Sequence, residues 1–121
     1  MFELMVETDF AAAHSLREYH GKCENLHGHN WKVQIVLSAE KVNGLGMVLD
    51  FNDVKAMARE ILEAFDHKNL NDLAYFKKDN PTTENLSRVL YSEFSRRLPE
   101  GISVQKVSVW ESDRCGGSYF E

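Results

Sequence analysis

The residues with most chemistry to offer lie in one short stretch, Cys23-Glu24-Asn25-Leu26-His27-Gly28-His29. His27 and His29 are two apart, so on a strand both imidazoles point to one face. Gly28 between them lets the opposite face approach another backbone closely. Two neutral imidazoles on one face make half of a metal site. His14 ends the run Phe10-Ala11-Ala12-Ala13-His14. If that segment pairs with the one carrying His27 and His29, a third imidazole joins them. Three histidines without an obvious fourth ligand suit a catalytic zinc, whose open position takes water or substrate. With Cys23 completing a tetrahedron, the same residues would instead close a structural zinc site. The spacing leaves both readings open.

The elements that must position these side chains follow from periodicity. Residues 2–13 alternate, with Phe2, Leu4, Val6, Thr8, Phe10 and Ala12 on one face. This predicts a half-buried strand on which His14 shares the inward parity. Residues 15–26 are polar and irregular and read as a loop that delivers Cys23; His20 reads as a loop residue. Residues 28–39 form a second strand, with His27 and His29 on the side of Trp31 and Val33. A turn at Asn43-Gly44 and a short extended piece over 47–51 follow. Asn52 or Asp53 caps a helix whose buried stripe is Val54, Met57, Ala58, Ile61, Leu62 and Phe65. After a polar loop over 66–72, Thr82 caps a second helix with Leu86, Val89, Leu90 and Phe94 inward. Glu84 suits the positive end of that helix. A strand over 103–112 puts Glu111 on the face of Val107 and Val109. A carboxylate there either has a functional partner or lies past the strand end in water, because burying it alone is costly. Asp113 to Gly117 reads as a turn, with a few extended residues at Tyr119-Phe120. The expected fold is α+β, an antiparallel four-stranded sheet with two helices on one face, in the order strand-strand-helix-helix-strand-strand. Unpaired sheet edges suggest an oligomer.

The 121 residues read as one domain, 1–121. No apolar run approaches the ~20 residues of a membrane helix, and the N-terminus lacks a basic region followed by an apolar core. Two cysteines make no disulfide framework, so the expected location is cytoplasmic, with reduced thiols. Cys115 has no ligand spacing around it. A net charge of -5 argues against a nucleic-acid surface but leaves room for an anionic small molecule where Lys and Arg cluster.

Taken together, six segments resemble the 6-pyruvoyl-tetrahydropterin synthase / 6-carboxytetrahydropterin synthase family of the tunnelling fold. They are Phe10 to His14, Cys23 to His29, Asp50-Phe51, Asp66-His67-Lys68-Asn69-Leu70-Asn71, Pro81-Thr82-Thr83-Glu84-Asn85 and Trp110-Glu111. They run in family order across nearly the whole chain. The resemblance implies Zn2+ on His14, His27 and His29. It implies Cys23 as general base, Asp66 and His67 as a proton relay, and Glu111 accepting from the pterin ring. Thr82 and Thr83 look like the family's residues near the pterin pocket. It further implies trimers, or pairs of trimers, with sites at subunit interfaces. On the residues alone, Asp66-His67 reads as a helix-terminal loop with solvated polar side chains.

The spacing Cys-x-x-x-His-Gly-His is similar to that of the bacterial and archaeal 6-carboxytetrahydropterin synthases of the queuosine (7-deazaguanine) route. The implied reaction is a zinc-dependent lyase step. It takes 7,8-dihydroneopterin triphosphate to 6-carboxy-5,6,7,8-tetrahydropterin, triphosphate and acetaldehyde. The pyruvoyl-forming activity is an alternative. So is cleavage to 6-hydroxymethyl-7,8-dihydropterin for folate, because Glu24 resembles the acid of a subgroup with Glu-x-x-His-Gly-His. Glu24 otherwise reads as an exposed loop acid. A non-catalytic pterin-binding protein with structural zinc is the reading from another class. Arg17, Lys22, Lys32, Lys68 and Arg114 are the cations open to a triphosphate, and none has a motif behind it.

Overall fold

The first strand, β1 (Phe2–His14), pairs antiparallel with β2 (His27–Ala39) along its whole length. Phe10 faces Trp31, Ala12 faces His29 and His14 faces His27 across the pair. The even residues of β1 and the odd residues of β2 therefore share one face. The computed structural model describes residues 1–121. In it, α1 (Phe51–Leu62) and α2 (Thr83–Ser95) cover that face. The sheet is completed by β3 (Lys68–Asn69), β4 (Ile102–Ser112) and β5 (Cys115–Tyr119), in the order β3-β1-β2-β4-β5.

The sheet thus has five strands rather than the expected four. The extra strand is β3, two residues that run parallel to β1 opposite Ala12 and Ala13. It lies between the helices in sequence, so the order is strand-strand-helix-strand-helix-strand-strand. A two-residue pairing leaves no periodicity to read. Two 3-10 turns, Leu70–Asp72 and Ala74–Phe76, follow it and bury Leu70 and Phe76.

The core joins Val6 and Phe10 of β1, Trp31, Val33, Ile35 and Leu37 of β2, and the inward stripes of both helices. The α1 cap is Asp50, whose carboxylate accepts from the Asn52 amide at 2.8 Å, so the helix starts ahead of the expected Asn52 or Asp53. Thr82 caps α2 as expected, accepting from the Asn85 amide at 3.1 Å. Residues 47–50 join no strand. In the preceding turn the Asn43 side chain accepts from the Leu45 and Met47 amides, and Gly46 takes the positive φ. A bulge in β4 opposite Val36 and Leu37 resets the alternation, so Val104 joins Val107 and Val109 in the core. No helix is long and apolar enough to cross a membrane.

Candidate metal centre

Trp31 is fully buried and forms the floor of the site. Its indole N–H donates to the Ala12 carbonyl at 3.1 Å. His14 and His29 stand edge-on to its ring, with centroids 4.8 and 5.1 Å away. The β1–β2 register brings His14, His27 and His29 together, their ligand atoms all within 4.8 Å of one another.

The chemistry of these nitrogens tests whether a cation fits. His14 donates from Nδ1 to the Pro81 carbonyl at 2.8 Å, and His27 from Nδ1 to the Asn25 carbonyl at 2.8 Å. A carbonyl can only accept, so both rings carry a proton on Nδ1, and in the neutral form of each ring the lone pair is on Nε2. Those two Nε2 atoms face each other at 3.1 Å. The buried Nε2 of His29 has no hydrogen-bond partner at all. Burial holds the His29 imidazole below its usual pKa, against the pull of Glu111, and the neighbouring His14 and His27 push the same way as burial. Three imidazoles with converging ring nitrogens, two of them oriented by backbone carbonyls, fit a zinc ion, which takes the neutral form of each ring.

Glu111 stands beside them. One carboxylate oxygen lies 3.4 Å from Nε2 of His29, the other 3.8 Å from Nε2 of His14. Of the two readings open to this residue, the structure thus places it at the cluster. His14, His27 and Glu111 line a cavity of about 280 Å³ together with Leu16, Glu24, Thr82, Thr83 and Glu84. Glu24 turns toward His27, with 3.8 Å between a carboxylate oxygen and Nδ1. Cys23 is exposed and takes no part in the histidine cluster.

Asp66 and His67 lie elsewhere, beyond the edge of β1. Asp66 accepts from the Ala11 amide at 2.9 Å and lies 3.0 Å from Nδ1 of His67. The Ala11 amide, with His67 beside it, holds the Asp66 carboxyl below its usual range. His67 has a positive φ of 58° and a side chain 81% exposed. Neither residue lines the cavity of His14, His27 and Glu111; His67 lines a separate one of about 520 Å³ with His29 and Lys68.

The model of the 6-pyruvoyl tetrahydropterin synthase family matches residues 3–121. The chain belongs to this family. A putative 6-carboxy-5,6,7,8-tetrahydropterin synthase of Archaeoglobus fulgidus is 39% identical over 108 residues, 89% of this chain and 86% of that one. A dihydroneopterin monophosphate aldolase of Pyrococcus furiosus is 30% identical over 113 residues, 93% of this chain and 92% of that one. The structure of Caenorhabditis elegans 6-pyruvoyl tetrahydropterin synthase superposes with a TM-score of 0.86 at 27% identity, covering 99% of this chain and 95% of that one. This member of the 6-pyruvoyl tetrahydropterin synthase family is thus an α+β protein of a pterin synthase lyase family.

Sequence reasoning missed Glu84 as a lining residue of this family member's cavity. An acid in the first turn of a helix is already explained by the dipole. Only the packing of α2 against β4 and β5 shows that this turn faces the cavity. The five candidate phosphate cations are absent from the lining. Arg17 donates to the carbonyls of Asn71 and Asp79, and Lys32 lies over the Trp110 ring at 5.1 Å.

Proposed function

We propose that this chain is a zinc-dependent lyase acting on 7,8-dihydroneopterin triphosphate to form 6-carboxy-5,6,7,8-tetrahydropterin, with release of triphosphate and acetaldehyde. The observation that carries the reading is the meeting of His14, His27, His29 and Glu111 in one side-chain cluster, in a chain 39% identical to a relative named for that product. Zinc held by the three imidazoles would supply Lewis acidity to the hydroxyls of the substrate side chain. Glu111 offers two acceptor oxygens to the ring N–H and amino group of a pterin. Thr82 and Thr83 flank the ring from the start of α2. Cys23, as thiolate, removes a side-chain proton. Asp66 holds His67 in orientation for the relay, and the pair serves the Cys23 of a neighbouring copy, since it lies outside the cavity that His14, His27 and Glu111 line.

The cavity supports this sharing between copies. At about 280 Å³ it falls just short of the ~300–1,000 Å³ of small-molecule sites. It holds Glu24, Glu84 and Glu111 but no Lys or Arg to meet a triphosphate. On this reading the missing wall and charge come with the neighbour's edge, where Lys68 adjoins His67, in a trimer or a pair of trimers.

A second reading is favoured by one observation: Glu24, and not Cys23, lines the cavity. A carboxylate there suits cleavage of the side chain to 6-hydroxymethyl-7,8-dihydropterin, and a 30% identical relative is named an aldolase. Pyruvoyl formation remains the third product. The deciding experiment incubates zinc-loaded protein with 7,8-dihydroneopterin triphosphate and identifies the pterins by mass spectrometry. Carboxylated tetrahydropterin with acetaldehyde supports the first reading, and hydroxymethyl pterin the second. No turnover by the assembled, zinc-replete protein would leave a pterin-binding module.

A further inference from the structure

Beyond His14 the chain runs through Ser15, Leu16 and Arg17 before entering the loop that carries Cys23 and Glu24. Along one edge of this segment two carboxamides stand where a neighbouring strand would be. Asn71 accepts from the Ser15 amide at 2.9 Å and donates to the Ser15 carbonyl at 2.8 Å. Asn80 treats Arg17 in the same way, at 2.8 and 3.1 Å. Each carboxamide satisfies both polar groups of one residue, as a strand partner does in an antiparallel ladder.

The opposite edge of the same segment holds Glu24. The Glu24 amide donates to the Leu16 carbonyl at 2.9 Å, and the Leu16 amide donates to the Glu24 carboxylate at 3.4 Å. The carboxamides are themselves anchored. The Asn71 amide donates to the Asn69 side chain at 3.2 Å, and Asn85 of α2 donates to the Asn80 carbonyl at 2.8 Å. The tip of the loop, by contrast, closes on itself. Gly21 bonds back to Glu18 and Lys22 to Tyr19, with Glu18 and His20 at positive φ. The root at residues 15–17 is therefore the connection between Glu24 and the body of the protein on the side away from His27.

We infer that Asn71 and Asn80 are positioning residues that hold the Glu24 carboxylate at the cavity wall, acting through the backbone of residues 15–17. The catalytic part of this inference rests on the reading of Glu24 as a working carboxylate of the site.

The test uses full-length zinc-loaded protein carrying Asn71→Ala or Asn80→Ala. Amide hydrogen exchange reads the clamp without any turnover. The Glu24 amide should exchange about tenfold faster in either variant, while Trp31 and Val33 amides and the zinc content stay unchanged. Unchanged protection at Glu24 overturns the inference. Kinetics then separate positioning from general weakening. Asn80→Ala should lower kcat for the Glu24-dependent product about tenfold with KM little changed, and add nothing in a Glu24→Ala background. Equal losses in both backgrounds also overturn it. If the protein forms no pterin product, the functional reading fails while the exchange result still decides the clamp. Should the alanine variants fail to fold, Asn80→Asp keeps the acceptor and loses the donor, and the same exchange outcomes apply.

Discussion

A neutral histidine that donates its Nδ1–H to a backbone carbonyl keeps one lone pair, on Nε2. His14 and His27 both do this, and their free nitrogens converge at 3.1 Å. Without a cation between them that contact is repulsive. We therefore expect His27→Ala to lose nearly all zinc on dialysis, as read by atomic absorption, while Cys23→Ala keeps one ion per chain. Zinc loss in Cys23→Ala would restore the structural-site reading. For the two candidate bases, Glu24→Ala should cut any hydroxymethyl product by ~10²-fold or more, the usual range of a general acid–base, and leave the carboxylated product. Cys23→Ala should do the reverse. At this scale the parity of His14, His27 and His29 was legible, because alternation along a strand assigns faces. The direction of Glu24 was not, since an irregular loop has no period.

The elements explain how the cavity wall is held. Gly116 and Gly117 read in sequence as part of a turn, yet both lie in β5. A Cβ on Gly116 would come within 2.6 Å of the Trp110 ring, and one on Gly117 within 2.7 Å of the Thr83 hydroxyl. These glycines are there for close approach, which a sequence cannot distinguish from chain reversal. Gly117→Ala should displace Thr83, cost about 1–3 kcal/mol by overpacking, and raise KM for the pterin more than it lowers kcat; unchanged KM in steady-state assays would remove Thr83 from the binding wall. At the other end of α2, Glu93 is buried among Tyr75, Arg96 and Arg97. Burial pushes its carboxyl up, but hydrogen bonds from Arg97, Tyr75 and Arg96 outweigh this and hold it at about 2, down from an ordinary 4.5. A lowered folded pKa means that the unfolded chain binds the proton first. The stabilisation, on the order of 3 kcal/mol, is complete above pH 4.5 and is lost as pH falls toward 2. Urea unfolding at pH 7, 4 and 3 should show that loss, and Glu93→Gln should flatten it. The helices themselves were legible from their apolar stripes. The fifth strand was not, because two residues opposite Ala12 and Ala13 carry no pattern.

At the scale of the whole molecule the sheet is open at both sides. β3 covers β1 only at Ala12 and Ala13, and β5 has no partner on its far side. Edges of this kind are where copies of a chain add to one another. If Asp66 and His67 complete a neighbour's site, two dead proteins can rescue each other. Chains carrying Cys23→Ala with Glu24→Ala, co-refolded in equal amounts with His67→Ala chains, should regain activity at about a quarter of the sites, the random share of a two-chain site. No recovery in the mixed assembly would place each site within one chain.

The register that sets His14 opposite His27 also bears on how the chain folds. All three imidazoles belong to residues 14–29, one local hairpin, whereas Glu111 arrives only when β4 docks. Hairpins close in ~1–10 μs, well ahead of long-range strand pairing. A slip of one residue would turn His27 and His29 to the opposite face and scatter the ligands. Zinc present from the start of refolding should therefore speed recovery of native protein, and zinc added after folding should only raise the melting temperature. The ion would serve first as a proof-reader of strand alignment.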